Sequence, residues 1–339
     1  MSADILKNGH VPEWDPRALI ELSGIYWKAG VLHAGVKLGV FTAIGKEPQT
    51  SEDIARKLGA DRKAMFMLLN ALSAAGLLVK AGQLYSNTPV GITYLSKDSD
   101  QYIGYMIMHH HGLMDSWIQL DKAVKNGGPL RTGVARINEE ERENFLLGMF
   151  NIAMNLAPRL AEEIDLSDRA HLLDLGGGPG TFAVHFCLKN TGLKATVCDL
   201  PATKPFAEKI IKRFGLTDRI DFRAVDFLRD DIPGAYDAAW LSHILHGEGP
   251  QGCQTIIRKA VSALKPAGKI IVHDFILNDS MDGPLFPALF SLNMLLGTDS
   301  GQAYSQKQIM DMLASAGVKK IKRDHFKSLV DSGIISGVV

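Results

Sequence analysis

Cysteine is scarce. Cys187, Cys198 and Cys253 are the only three in 339 residues; they are widely spaced and follow no zinc-binding pattern, so neither a disulfide frame nor a structural zinc site is encoded. Net charge is missing too, because 37 basic residues balance 37 acidic ones. That neutrality gives no support to a nucleic-acid partner or an anionic membrane surface. No apolar run reaches the ~18 residues needed to cross a bilayer, and the start M-S-A-D-I-L-K-N-G-H lacks a signal-peptide core. The chain therefore reads as cytoplasmic, with reduced thiols. Repeats and low-complexity segments are also lacking. What remains, 46% hydrophobic and 22% charged residues, is the balance of a soluble globular protein, at a length that favours more than one domain.

The most informative stretch is His171 to Phe182, H-L-L-D-L-G-G-G-P-G-T-F. Leu172, Leu173 and Leu175, broken by one acid at Asp174, read as a buried strand, and the glycines behind it force a tight turn into a helix starting near Thr181. Backbone without Cβ lets a ligand approach closely, and the helix start offers unpaired N–H groups, so this is the pattern of a nucleotide cradle. Pro179 fits such a start, where its missing N–H is no loss. A dinucleotide fingerprint needs G-x-G-x-x-G, but counted from Gly176 and Gly178 the third glycine falls on Thr181. The spacing here is Asp174-x-Gly176-x-Gly178-x-Gly180, which disfavours an NAD-linked oxidoreductase.

Beyond the turn, strands and helices alternate. K-A-T-V-C-D ends at Asp199, R-I-D-F-R-A-V-D at Asp226 and Y-D-A-A-W-L-S at Ser242, and G-K-I-I-V-H-D-F follows. The succession predicts an α/β fold with a doubly wound parallel sheet covered on both faces. A helix over 305–316, a strand near 318–326 and the terminal I-I-S-G-V-V, joined by a short turn, predict that the sheet ends in a reversed C-terminal strand. Ligands of such sheets lie beyond the carboxyl ends of the strands. There Asp199, with Leu200 beside it, can accept both ribose hydroxyls, Asp226 with Phe227 can bracket an adenine, and Ser242 completes the cofactor-binding set.

Residues 14–95 read as a winged-helix-like module: helical 14–44 with Gly24, Gly30, Ala34 and Gly35 for close contacts, a short helix capped by Thr50 or Ser51 and ended by Gly59, a helix over 61–75 and a hairpin around Gly82. A DNA-reading helix presents several cations, whereas this one offers Arg62 and Lys63 and then Met65, Phe66, Leu68, Leu69 and Leu72. It reads as buried, and the module as a dimerisation domain; a metabolite-sensing DNA-binding regulator is the alternative. Residues 96–166 read as a helical linker and pocket region, with breaks at Gly127, Gly128, Pro129 and Gly133 and an acidic helix start at Glu139, Glu140, Glu141 and Glu143. His109, His110 and His111 point three ways on one helix, unlike zinc ligands that share a face, so no metal is expected. Met114, Trp117, Met149, Phe290, Asn293 and Met294 are the candidates for a substrate pocket. Residues 167–339 make the cofactor-binding domain.

From about residue 15 to the C-terminus the chain resembles the class I, S-adenosylmethionine (SAM)-dependent small-molecule O-methyltransferases related to plant caffeic acid and bacterial hydroxyneurosporene and polyketide methyltransferases. The matching pieces are L-D-L-G-G-G-P-G, C-D-L-P, V-D-F, L-S-H-I-L-H, L-K-P-A-G-K and I-V-H-D-F-I-L. The resemblance implies a homodimer that holds SAM on the glycine turn and methylates a hydroxyl of a small aromatic or conjugated molecule. It implies His246 as general base and Asp274 as the carboxylate that orients it. Gly247 and Glu248 stand where the family usually has Asp-Trp, and a second orienting carboxylate of plant members falls near Ala303. His243 is a competing base. SAM-binding relatives with other chemistry, and acceptors with N or S nucleophiles, stay open as alternatives.

Overall fold

The computed structural model describes residues 14–131, 138–326 and 331–339. Its contacts divide into two units, one running up to Leu113 and taking in Glu143–Asn151, the other holding the rest. In the first, the region read as packed helix becomes α1 (Pro16–Ser23), α2 (Tyr26–Lys37) and α3 (Val40–Ile44). After β1 (Gln49–Thr50), the Thr50 side chain accepts from the Asp53 N–H to start α4 (Ser51–Leu58), and Gly59, at φ 63°, ends it in the left-handed region. Asp61 caps α5 (Arg62–Ala74), which buries Met65, Leu69 and Leu72 at helical spacing. β2 (Leu78–Ala81) and β3 (Leu84–Asn87) form the hairpin, and β1 adds to β3.

Burial of α5 is narrower than its composition predicts. Phe66 is 39% exposed and lies under the Lys80 ammonium, whose Nζ stands 4.8 Å from the ring centroid. Only one stripe of the helix enters the core of Val36, Phe41, Ile54, Leu69 and Tyr85. On α1 nothing is buried. Ile20, Ile25 and Trp27 are 71%, 59% and 68% exposed, an apolar face of the kind that marks an interaction site.

Next come α6 (Gly104–Trp117), α7 (Leu120–Asn126) and α8 (Glu139–Glu163). The acidic run does start α8, where Asn138 and Glu141 close a reciprocal capping box. The break expected at Gly133 lies outside the described residues. On α6 the adjacent histidines diverge: the His109 ring meets Phe145 at 5.3 Å, while His111 meets His33 at 5.5 Å and lies 3.0 Å from Lys37 Nζ.

The second unit runs β4 (His171–Leu175), α9 (Thr181–Lys189), β5 (Lys194–Asp199), α10 (Lys204–Arg213), β6 (Ile220–Ala224), β7 (Tyr236–Ser242), α11 (Pro250–Ser262), β8 (Leu264–Leu277), α12 (Leu285–Gly297), β9 (Tyr304–Ser305), α13 (Gln306–Ser315), β10 (Lys319–Asp324) and β11 (Ser332–Val338). The sheet order is β10-β11-β8-β7-β4-β5-β6, with β9 paired to the end of β8. The five strands β8-β7-β4-β5-β6 are mutually parallel. The chain steps outward from β4 to β6 and then returns to the other side of β4, so β4 and β7 flank the switch point where such sheets bind ligands. The last strand is reversed as read, but it does not form the edge. β11 inserts between β8 and β10 and is antiparallel to both, because its run from Gly333 to Gly337 is buried on both faces while β10, K-K-I-K-R-D, is charged and suits an edge. Pro179 also shifts slightly in role: Gly180 is the N-cap of α9, so the proline precedes the cap.

Candidate active site

The glycine turn behind β4 holds three left-handed glycines, Gly176, Gly178 and Gly180, at φ 68°, 54° and 75°. Asp174 is buried beneath it; its Oδ2 accepts from the Ala183 N–H at 3.3 Å, and its Oδ1 has no hydrogen-bond partner among the described residues. Burial first, and then the nearby Asp199, push the Asp174 carboxyl up to about 7. A Cβ at Gly178 would meet nothing within 4 Å, so this glycine leaves open space.

Asp199 at the end of β5 ties the turn down. Its Oδ2 accepts from the Gly178 N–H at 2.8 Å, and its Oδ1 from the Leu200 N–H at 2.6 Å and the Thr203 hydroxyl at 3.2 Å. Burial raises its carboxyl even against these three donors. About four lone-pair positions exist on a carboxylate, so this one retains a single position for a ligand hydroxyl. Asp226 is placed differently. It follows β6 and organises its own turn, taking the Leu228 N–H at 3.1 Å and lying 3.7 Å from Arg229 Nε, while Phe227 packs on the main core. The Ser242 hydroxyl is engaged with His273 Nδ1 at 2.9 Å.

Parallel pairing sets Ser242 opposite His273, so the residues that follow each strand converge. His243 adopts φ 55° and donates its N–H to the His273 carbonyl at 2.8 Å. This left-handed residue turns the chain off β7 into a short helical turn, Leu245–Gly247. His246 Nδ1 thereby comes to 2.6 Å from Asp274 Oδ1. His243 Nδ1 stands 3.6 Å from the same oxygen, too far for a hydrogen bond, and is buried with no hydrogen-bond partner among the described residues. Burial alone would raise the Asp274 carboxyl; the His246 imidazole, and then His243, outweigh it and hold the group well below the usual carboxylate range. These three side chains bring ligating atoms within 4.8 Å of one another, the only such set among the described residues. Aromatic rings enclose His246: Phe290 meets it edge-on at 4.7 Å, and Phe275 lies near-parallel at 5.9 Å.

Of the pocket candidates, Phe290, Asn293 and Met294 lie on α12, and Trp117 donates its indole N–H to Asn293 Oδ1 at 3.3 Å. Met114 also falls in this unit and Met149 in the other. Ala303 is buried, with its N–H on Ser291 Oγ. Sequence reasoning missed His273, buried between the Ser242 and Ser332 hydroxyls and held well below its usual pKa by burial, then by His243. Its signal was the two-residue period of β8, which sends His273 and Asp274 to opposite faces. Arg131, whose Nη2 donates to the Asn293 side chain at 3.0 Å, carried no local signal.

Comparison with known proteins gives this geometry a family. Residues 118–319 match the model of the O-methyltransferase domain, and residues 20–97 match the O-methyltransferase dimerisation domain. A 3-hydroxy-5-methyl-1-naphthoate 3-O-methyltransferase of Streptomyces sahachiroi is 31% identical over 95% of both chains. Among solved structures, PigF with SAH, from a Serratia species, superposes at a TM-score of 0.89 with 26% identity over 96% of this chain and 100% of its own. Human N-acetylserotonin methyltransferase in complex with SAM superposes at 0.84, with 25% identity over 97% and 99%. The glycine turn, the paired sheet ends and these matches together place the chain in the SAM-dependent O-methyltransferase family.

Proposed function

We propose that the chain methylates a hydroxyl of a small aromatic or conjugated molecule, with His246 as general base and Asp274 as the carboxylate that orients it. When bound, SAM supplies an electrophilic methyl group on a sulfonium. The residues present fit that cofactor. Asp174 Oδ1 is a buried acceptor without a donor, suited to an ammonium, Gly178 leaves its side of the turn open, and Asp199 keeps one lone-pair position for a ribose hydroxyl. Asp226 and Phe227 would serve the adenine, and Leu200 and Ser242 would frame the same cleft.

The observation that carries the reading is the 2.6 Å contact between His246 Nδ1 and Asp274 Oδ1. An ionised carboxylate fixes the proton on Nδ1 and leaves Nε2 as the acceptor, which is the role division of a histidine base. A neutral hydroxyl is a poor nucleophile, so removing its proton as the methyl arrives lowers the barrier. The aromatic walls at Phe290 and Phe275 favour a flat acceptor, with Met114, Trp117, Asn293 and Met294 as its further contacts. The related naphthoate methyltransferase acts on such a ring system.

The test is His246→Gln, measured for SAM affinity by calorimetry and for turnover of a phenol. Unchanged affinity with turnover lowered roughly 10²–10⁴-fold is expected for loss of a positioned base. Parent-level turnover would remove His246 from the mechanism.

A further inference from the structure

Among the described residues, Arg131 has no anionic partner. Its backbone N–H and that of Leu130 both donate to the Leu296 carbonyl at 3.0 Å, which pins this segment to the last turn of α12. The side chain then folds onto the same helix. Nη2 donates to the Asn293 carbonyl at 2.6 Å and to Asn293 Oδ1 at 3.0 Å, and Oδ1 also takes the Trp117 indole N–H. Two donors converging on one oxygen fix the orientation of the amide. A Cβ on Gly297 would stand 2.7 Å from Nη2, so the glycine is what lets the guanidinium lie against the helix. The Nε atom is closed off from solvent and has no acceptor among the described residues. Burial lowers the group's pKa, and no carboxylate of the described residues opposes it.

A guanidinium carries five donors; here Nη2 spends both of its hydrogens on Asn293, which leaves Nη1 to meet a carboxylate. Partly burying a guanidinium with Nε unpaired costs free energy that an anionic ligand would return. Its position tells which ligand. Phe290, Asn293 and Gly297 recur at helical spacing on α12, and the Phe290 ring touches His246. At 1.5 Å of rise per residue, Asn293 and Gly297 lie roughly 5–10 Å along the helix from Phe290. That separation suits a carboxylate and a hydroxyl on opposite edges of one or two fused aromatic rings.

We propose that Arg131 clamps a carboxylate of the methyl acceptor, so that the preferred substrates are aromatic hydroxy acids rather than neutral phenols. The inference rests on the reading above that the hydroxyl reacts at His246.

Binding of 6-hydroxy-2-naphthoate and of its primary amide to the full-length protein, followed by naphthalene fluorescence without SAM, tests the clamp independently of the base. The parent should bind the acid about tenfold or more tightly than the amide, as a charge-assisted contact requires. Arg131→Met should erase that preference while leaving amide affinity within about threefold, and Gly297→Ala, which keeps the charge but displaces Nη2, should reduce it. Equal binding of acid and amide by the parent would overturn the proposal. So would an equal loss for both ligands in Arg131→Met, which is the mark of a purely structural role on α12. His246→Gln separates the two readings: if that variant methylates normally yet retains the acid preference, the base assignment falls and the clamp stands.

Discussion

Ile244 lies so close to Gly176 that a Cβ on the glycine would stand 2.3 Å from its Cγ2. The two residues join the glycine turn to the loop that carries His246, so each loop sets the position of the other. Gly176 also needs its left-handed φ of 68°, which costs another residue about 1–2 kcal/mol before any clash. Gly176→Ala should therefore weaken SAM binding and slow turnover together, as read by calorimetry and by initial rates at saturating SAM. A variant that lost SAM affinity alone would show that the loops are not coupled.

Much of this was legible in the sequence because it is local. The strand, glycine turn and helix are written in apolar periodicity and punctuation, as are the Thr50 cap and Gly59 stop of α4 and the acidic start of α8. His246 and Asp274, 28 residues apart, were placed on the same side by a topological rule: parallel neighbours deliver their carboxyl ends to one edge. The insertion of β11 inside the sheet was not legible, since I-I-S-G-V-V does not say which strands it will separate. Nor was Arg131, whose meaning depends on a helix 162 residues later. Phe66 was misread because apolar content does not reveal how wide a helical face the core covers. Asp226 reads in the sequence as an adenine partner, and its part in its own turn, where it accepts from the Leu228 N–H, carries no separate sequence signal.

The dimerisation domain implies a homodimer, and the exposed face of α1 and α2 is where the second subunit should sit. Ile20→Glu combined with Trp27→Glu changes residues that are mostly exposed in their own subunit, so the fold should survive. Sedimentation should shift from dimer to monomer at micromolar concentration. An unchanged dimer would move the interface elsewhere in residues 20–97.

Asp174 predicts a pH dependence of stability. Its carboxyl is raised to about 7 in the folded chain against about 3.9 unfolded. A raised folded pKa means that the native state binds the extra proton, so this contribution is full below pH ~4 and is lost as pH rises to ~7, by at most on the order of 4 kcal/mol. Urea unfolding of the cofactor-free protein across that window should show stability falling more steeply in the parent than in Asp174→Asn. Parallel curves would mean that Asp174 is ionised in the fold.

Asp199 should matter to the cofactor through one charge-assisted bond, since three donors within the chain take its other lone pairs. Asp199→Ala should cost about 1.5–3 kcal/mol of SAM affinity, with some of that arising from release of the Gly178 N–H. Calorimetry with SAM and with a 2′,3′-dideoxy analogue distinguishes the parts. If the parent bound both equally, the ribose role would be lost and only the tie to the glycine turn would remain.

Acceptor acidity gives the sharpest test of the paired His246 and Asp274. With its carboxyl held well below the usual range, Asp274 stays ionised across the assay range and keeps the Nδ1 proton of His246 in place. Asp274→Asn removes that charge but leaves the imidazole, so turnover should fall less than in His246→Gln. Both losses should grow as the acceptor hydroxyl becomes less acidic, because a base contributes most where the proton is hardest to remove. A series of substituted phenols, assayed at fixed pH with saturating SAM, should thus give a steeper dependence of log kcat on acceptor pKa in His246→Gln than in the parent, with Asp274→Asn between them. Parallel lines would mean that the hydroxyl ionises unaided and that His246 only shapes the pocket. In that event His243, whose Nδ1 stands 3.6 Å from the same carboxylate oxygen, becomes the side chain to substitute next.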